Sequence, residues 1–263
     1  MRFVLRMIAV SLSAMAGVQA AECPRVVSQS PYLTIAIDWL GQAECIVGVS
    51  RDDSFKPALP RTGTPTAPDA KAIAALKPEL VIGSASADAA VFAAAVPAGA
   101  QAVQLGGFTS MLELEGMLED LARLVQSPEG GKVSGFRRGW FTRAKNTGAR
   151  GERALLLTTC GGTPTVYGRR HVLGDLFHAA GFNVLEAEVG TRAEADVAGL
   201  IARSRPDIVF TIDRPGQSAC TPVPAVKDVR IIPLDGEHFL YPGPRMLDGI
   251  EDLTRIMRTL KMP

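Results

Sequence analysis

The chain contains one short pattern twice, at a spacing the size of a domain. Residues 74–82 (AALKPELVI) and 202–210 (ARSRPDIVF) each read as a helix end, a base, a proline, an acid and an apolar run. Proline disfavours helical backbone before it, so each unit predicts a helix followed at once by a buried parallel strand. Pro78 and Pro206 are 206 − 78 = 128 residues apart. We therefore expect two similar α/β lobes, with a cleft between them that suits a small ligand.

The size and charge of the chain narrow the class further. Its 263 residues leave room for two domains, each with its own core. The 28 basic and 27 acidic side chains leave a net charge of +1, and no long run carries one sign. An electrostatic nucleic-acid binder needs a basic stripe, so the composition argues against that partner.

The first twenty residues resemble a secretory signal. Arg2 and Arg6 precede an apolar stretch, residues 7–18, that is too short to span a bilayer as a mature helix. The small-residue rule places cleavage after residues 18–20 (VQA), so we expect a periplasmic protein whose mature chain begins at Ala21. An uncleaved membrane anchor is the alternative.

The four cysteines all follow this signal. An even count in an oxidising compartment favours disulfides. Cys23 and Cys45 flank the starts of two successive predicted strands, and Cys160 and Cys220 lie just past the ends of two others, which favours pairing Cys23 with Cys45 and Cys160 with Cys220. A thiolate metal site at Cys160 and Cys220 is the alternative.

Short apolar strands and longer helices alternate along the chain, which is typical of doubly wound parallel sheets. The first lobe has predicted strands at 26–30, 46–50, 80–83 and 102–105, with helices at 32–40, 69–76 and 88–95. Helices at 110–124 and 127–146 follow, and the second of these is long enough to cross between lobes. The second lobe has predicted strands at 154–159, 183–187, 207–213 and 229–234, with helices at 171–180, 194–204 and 246–257. The predicted division is a signal at 1–20, an N-terminal lobe at 21–108, a helical segment at 109–150 and a C-terminal lobe at 151–263.

Four motifs in order carry a resemblance to a known family. They are residues 25–31 with Gly41 and 46–50, residues 75–82 (ALKPELVI), residues 168–181, and residues 243–245 (GPR) before the last helix. Together they resemble the periplasmic binding proteins of ABC importers for iron-siderophore, haem and cobalamin. The resemblance covers essentially the whole mature chain. It implies an α/β fold of two Rossmann-like lobes with central parallel sheets, joined by one long α-helix with limited hinge motion. It also implies a monomer that holds a metal chelate between the lobes and delivers it to a permease in the inner membrane.

The chain departs from that family at the lobe tips. The family commonly places a Glu seven residues before each repeated proline, where it pairs with permease arginines. Here those positions hold Lys71 and Gly199. Asp69, Glu194 and Asp196 are the nearby acids that could substitute in permease docking.

Ligands of doubly wound sheets collect beyond the carboxyl ends of the strands. That rule selects a mixed aromatic and cationic set, which suits a flat or bulky anionic chelate. The candidate ligand-binding residues are Tyr32, Arg51, Asp52, Phe55, Ser84, Phe108, Tyr167, Arg169, His171, Asp213, Arg214, His238, Tyr241 and Arg245. Each has a structural alternative: Tyr32 as packing at a helix start, the arginines as solvated surface or helix braces.

Direct metal binding is a further alternative. A bare-ion receptor needs three or four converging nitrogen or oxygen ligands. The chain has three histidines and no close pair of them, so His238, Asp213 and His171 are the candidate set. Tyr32, Tyr167 and His238 are the candidates for ligating a haem iron directly.

An enzymatic function has less support. The chain has neither a Gly-x-Ser-x-Gly elbow nor a Gly-x-x-x-x-Gly-Lys phosphate loop. Cys160 precedes two glycines, but a disulfide would consume its thiol. The sequence thus predicts a non-enzymatic binding protein without an intrinsic cofactor. A sensory or partner-docking protein of the same fold is the alternative.

Overall fold

The computed structural model describes residues 23–160, 164–186, 196–213 and 220–260. The predicted signal (1–20), Glu194 and Arg214 lie outside these residues. Within the described part of the chain, no helix is both long and apolar enough to cross a membrane.

The first lobe is built on a sheet of four parallel strands, ordered β2-β1-β5-β6. These strands are β1 (Val26–Ser28), β2 (Ile46–Val49), β5 (Leu80–Ser84) and β6 (Gln101–Leu105). Three helices connect them: α1 (Pro31–Trp39), α2 (Ala70–Ala75) and α3 (Ala89–Ala95). The proline-rich loop after β2, in which we expected no element, contains a short antiparallel hairpin of β3 (Gly63–Thr64) and β4 (Ala67–Pro68).

The second lobe is built on a separate, mostly parallel sheet. Its order is β11-β10-β7, with β8 and β9 both paired to β7 and only β8 antiparallel. These strands are β7 (Arg153–Thr158), β8 (Thr165–Val166), β9 (Asn183–Val184), β10 (Ile208–Asp213) and β11 (Arg230–Asp235). The helices are α6 (Val172–Ala179), α7 (Val197–Ser204), α8 (Gly236–Phe239) and α9 (Met246–Thr259). The predicted α/β class with two parallel sheets is confirmed.

Helices α4 (Met111–Leu124) and α5 (Gly131–Lys145) stand between the sheets in the chain, and α5 packs on α4, α6 and α9. The predicted start of α5 at Ser127 is wrong. Ser127 instead closes a turn: its hydroxyl accepts from the Glu129 amide (3.0 Å) and donates to the Leu40 carbonyl (2.6 Å). Fifteen residues span ~22 Å, less than the ~30 Å expected of twenty.

The repeated proline unit is closed by the same hydrogen bonds in both lobes. In the first lobe, the Arg25 amide donates to the Glu79 carboxylate (2.8 Å), and the Arg25 guanidinium donates to the Leu76 carbonyl at the end of α2 (2.7 Å). Lys77, just before Pro78, has the left-handed backbone (φ 47°) that ends the helix abruptly.

The second lobe repeats each of these contacts 128 residues later. The Arg153 amide donates to the Asp207 carboxylate (2.7 Å), and its guanidinium donates to the Ser204 carbonyl at the end of α7 (2.6 Å). Arg205 is left-handed (φ 48°), as Lys77 is. The paired residues of β1 and β5 have the same separation in sequence as those of β7 and β10, since Val26 faces Leu80 and Ala154 faces Ile208. The duplication is therefore one of structure as well as of sequence.

Candidate ligand site between the lobes

The predicted site residues lie on segments that follow the carboxyl ends of the strands. These strands are β1, β2, β5 and β6 in one lobe and β7, β10 and β11 in the other. Phe55 of the first lobe directly contacts side chains of the second. The Phe55 ring lies 5.3 Å from the Tyr241 ring, edge to face at 83°, and the Arg245 guanidinium carbon lies 4.3 Å above the Phe55 ring centre. Phe55 follows β2, whereas Tyr241 and Arg245 follow β11. These three residues form what we call the interlobe clamp.

Two acids that were not among the predicted site residues contact the clamp residues and stabilise their positions. Asp53 is buried, and one carboxylate oxygen accepts from the amides of Phe55 (2.8 Å) and Lys56 (3.2 Å), which fixes the backbone that carries the ring. Glu237 lies 3.3 Å from the Arg245 guanidinium. Asp53 lies two residues before Phe55, whereas Glu237 lies eight residues before Arg245, so no shared local pattern singles out these two acids.

A cavity of about 440 Å³ adjoins the clamp, within the range of roughly 300–1,000 Å³ typical of small-molecule sites. Both lobes line it, and its charged side chains are largely paired with each other: Lys56 with Asp38 (2.5 Å) and Arg143 with Glu251 (3.2 Å). The lining residues are Thr34, Ile35, Asp38, Trp39, Phe55, Lys56, Arg143, Pro244, Arg245, Leu247, Asp248 and Glu251. Of the predicted ligand residues, the cavity includes Phe55 and Arg245.

Tyr32 packs in the core at this edge of the first sheet. It is 4% exposed, its ring lies 5.0 Å from that of Phe108, and its hydroxyl donates to the Leu105 carbonyl (2.6 Å). Burial raises the pKa of Tyr32 above its usual value, so the phenol keeps its proton. This geometry favours the packing role of Tyr32 over iron ligation.

Phe108 and His171 lie on segments that bring the lobes together. The Phe108 carbonyl accepts from the Val172 amide (2.7 Å), and the Asp175 carboxylate accepts from the Met111 amide (2.8 Å). His171 caps α6, because its Nδ1 accepts from the Leu173 amide (3.2 Å). Its ring lies 4.7 Å from that of Tyr167.

Burial lowers the pKa of His171 to about 4, so its imidazole is neutral at pH 7. A neutral imidazole whose Nδ1 already accepts a hydrogen bond is a structural cap in this arrangement.

The remaining candidate ligand residues differ in how far their side chains are exposed to solvent. Arg51, Asp52 and Arg169 have exposed side chains that face solvent. Ser84 is buried, and its hydroxyl lies 2.7 Å from that of Ser86.

The predicted bare-ion set does not come together as a site. His238 belongs to α8 rather than to a loop, and its Nδ1 lies 2.7 Å from the Asp252 carboxylate. The Asp213 carboxylate accepts from the Thr158 hydroxyl (2.7 Å). Among the described residues, the three potential ligands that do converge are Cys160, Asp213 and Cys220, whose ligand atoms lie within 4.8 Å of one another.

Both predicted disulfides are present. Cys23 pairs with Cys45, and Cys160 pairs with Cys220. The second bond takes both thiols, so the protein in this state has no nucleophile at Cys160 and no thiolate site there.

The acids proposed for permease docking are engaged at helix ends. The Asp69 carboxylate caps α2 through the Lys71 and Ala72 amides, and Asp196 caps α7 through the Gly199 amide. A Cβ atom at Gly199 would fall 2.3 Å from the Asp196 carboxylate, so a side chain there would displace the cap. Lys71 is exposed.

No protein-family model matches the chain, and no curated protein does. Solved structures match over most of its length. The periplasmic haem-binding protein HutB of Vibrio cholerae superposes with a TM-score of 0.73 at 18% identity, covering 90% of this chain and 99% of that one. The chain has the fold of periplasmic substrate-binding proteins.

Two further binding proteins superpose with slightly lower TM-scores over a similar share of the chain. The periplasmic vitamin B12-binding protein BtuF of Vibrio cholerae gives a TM-score of 0.68 at 18% identity, covering 91% of this chain and 99% of its own. A periplasmic haem-binding protein of Pseudomonas aeruginosa gives 0.68 at 24% identity, covering 91% and 95%. All three are described as binding proteins and none as an enzyme. The binding-protein fold predicted from the motifs is thereby confirmed.

Proposed function

We propose that this chain is a substrate-binding protein of an ABC importer, which captures a metal chelate of the iron-siderophore, haem or cobalamin kind between its lobes. The observation that carries the proposal is the interlobe clamp of Phe55, Tyr241 and Arg245, with the adjoining cavity. Aromatic faces pack on a flat ligand, and a guanidinium recognises a carboxylate with paired donors.

The chemistry required is binding alone. Glu237 faces Arg245 at 3.3 Å, so a ligand carboxylate would compete with Glu237 for the guanidinium. Asp53 accepts from the Phe55 amide and so fixes the backbone that carries the ring before the ligand arrives. The ligand then favours the closed form over the open form by the free energy of the contacts that it makes to both lobes at once.

Two measurements test the proposal. Native mass spectrometry of freshly purified protein should reveal a bound chelate. Haemin, cobalamin and ferric hydroxamate or catecholate siderophores are then titrated in thermal melts. A cognate ligand at a hundred times its Kd stabilises the protein by ~2.7 kcal/mol and raises the melting temperature.

The variants Phe55→Ala and Arg245→Gln should weaken binding at least about tenfold each, whereas Arg169→Gln, an exposed arginine of the same edge, should not. Absence of any bound compound together with no melting shift for any of these chelates would contradict the proposal. A ligand that binds all four proteins equally would place the site away from the clamp.

The second candidate is a sensory or partner-docking protein of the same fold that does not feed a permease. The lobe tips favour it, because Lys71 stands where an acid is expected, and Asp69 and Asp196 are occupied as helix caps. Genes for a permease and an ATPase beside this one would favour transport instead.

A further inference from the structure

The disulfide at the carboxyl edge of the second sheet lies against a carboxylate. Cys160 follows β7, Asp213 ends β10, and one Asp213 oxygen lies 2.9 Å from the Cys160 sulfur. With Cys220, these residues place two sulfurs and a carboxylate oxygen within 4.8 Å of one another. Cys160 is 7% exposed, so the group sits at the boundary of the core.

The carboxylate is held in this position independently of the sulfurs. Its Oδ1 atom accepts from the Thr158 hydroxyl (2.7 Å) and, at 3.4 Å, from the Thr159 amide. Both donors lie at the end of β7, the strand that pairs with β10. Asp213 therefore faces Cys160 as long as the two strands remain paired.

Cys220 is also held beside Cys160 by the backbone. The two residues form an antiparallel β-bridge, and the Thr221 amide donates to the Thr159 carbonyl (3.1 Å). These contacts do not require the sulfur–sulfur bond. Breaking that bond should leave the two sulfur atoms near each other and near Asp213.

We propose that reduction of the Cys160–Cys220 disulfide creates a binding site for a thiophilic divalent cation such as Zn²⁺, with Cys160, Cys220 and Asp213 as its ligands. A dithiol reductant supplies two electrons and two protons, is itself oxidised to a disulfide, and leaves two thiols on the protein. The cation then displaces both thiol protons and binds two thiolates and the carboxylate. Three protein ligands leave a fourth tetrahedral position for water or another ligand.

The choice of cation follows from the donor set. Thiolates select soft or borderline metals, whereas Mg²⁺ and Ca²⁺ require oxygen ligands. The site is thus the reduced-state counterpart of the disulfide, and it excludes metal whenever the disulfide is formed. This metal site is separate from the clamp, where we propose that the chelate binds.

The test is titration with Cd²⁺ and Zn²⁺ of the full-length protein, oxidised or reduced with a dithiol that is removed before metal is added. The matched control is Cys160→Ser/Cys220→Ser, which keeps Cys23 and Cys45 and so reports any binding by the other thiol pair. The reduced protein should bind one Cd²⁺ with thiolate charge-transfer absorbance, and the oxidised protein and the control should not. Asp213→Asn should weaken affinity at least about tenfold.

A second readout guards against unfolding on reduction. Zn²⁺ should raise the melting temperature of the reduced protein and protect Cys160 and Cys220 from alkylation, because a ligand that binds the folded state stabilises it. Equal binding by the control variant, no loss of affinity in Asp213→Asn, or no metal bound to the reduced chain would each overturn the proposal.

Discussion

Single residues in this protein take their roles from partners far away in the chain. Tyr32 reads as a pocket residue at a helix start, yet its hydroxyl donates to Leu105, 73 residues further on. His238 reads as a cleft residue, yet it pairs with Asp252 on the next helix. Sequence placed both residues correctly at the carboxyl edge of the sheets. The direction of each side chain depends on long-range contacts that no local pattern encodes.

His171 gives a prediction about pH. Burial lowers its pKa to about 4, below the ordinary 6.5, so the folded protein disfavours the protonated ring. The neutral cap therefore contributes its full stability above pH 6.5, and that contribution is lost as the pH falls from 6.5 towards 4, by at most ~1.4 kcal/mol per pH unit.

The matched variant is His171→Asn, which keeps a cap acceptor for the Leu173 amide but does not titrate. Chemical denaturation between pH 4 and 7 should show that the free energy of unfolding falls more steeply with decreasing pH for the wild type than for the variant. Parallel curves for the two proteins would mean that His171 protonates without cost.

At the scale of elements, most helices and strands begin and end close to where the sequence places them, because proline, capping and periodicity signals are local. Several elements differ, among them strand β8, which the sequence does not predict, and three cases have identifiable reasons. The start of α5 moved because the Ser127 cap serves a turn, helix α8 is only four residues long, and the β3–β4 hairpin lies in a proline-rich loop. Short elements are held by their surroundings and carry little periodicity of their own.

Two helix glycines, Gly135 in α5 and Gly174 in α6, predict opposite effects for the same substitution. Gly135 is exposed, and a Cβ atom there would meet nothing within 4 Å, so Gly135 does not serve close helix packing. Gly135→Ala should stabilise the protein by about 1 kcal/mol, since alanine favours helix over glycine.

Gly174, in α6, is the matched control, because a Cβ atom there would lie 2.0 Å from the Gly168 carbonyl oxygen. Gly174→Ala should destabilise the protein by about 1–3 kcal/mol through overpacking. Urea denaturation measures both variants. Destabilisation by Gly135→Ala would show that α5 needs a glycine at this position for a reason other than space.

For the whole molecule, the two-lobe architecture follows from the 128-residue repeat, but the contact between the lobes does not. Phe55 and Arg245 were in the predicted set because strand ends converge on a cleft. Their direct stacking depends on Asp53 and Glu237 and on how far apart the lobes stand. The identity of a ligand depends on the same loop geometry, which the repeat does not encode.

The lobe tips yield a prediction about partners. If this protein feeds a permease, the purified permease complex should retain it, and Asp69→Asn together with Asp196→Asn should abolish retention. Asparagine still caps a helix, so these variants remove charge with little loss of stability.

Unchanged retention by the double variant would assign docking to other residues. No retention of the wild type, despite tight binding of a chelate, would favour the sensory or docking alternative.

The hydrogen bonds around Arg25 and Arg153 have a practical consequence. The bonds from the Arg25 amide and guanidinium to Glu79 and Leu76 each have a counterpart 128 residues along, so a change to either bond can be made again at the equivalent position of the other half. Comparing the two variants then separates the effect of the shared hydrogen bonds from the effect of the residues that differ between the lobes. Each lobe thus serves as a control for the other.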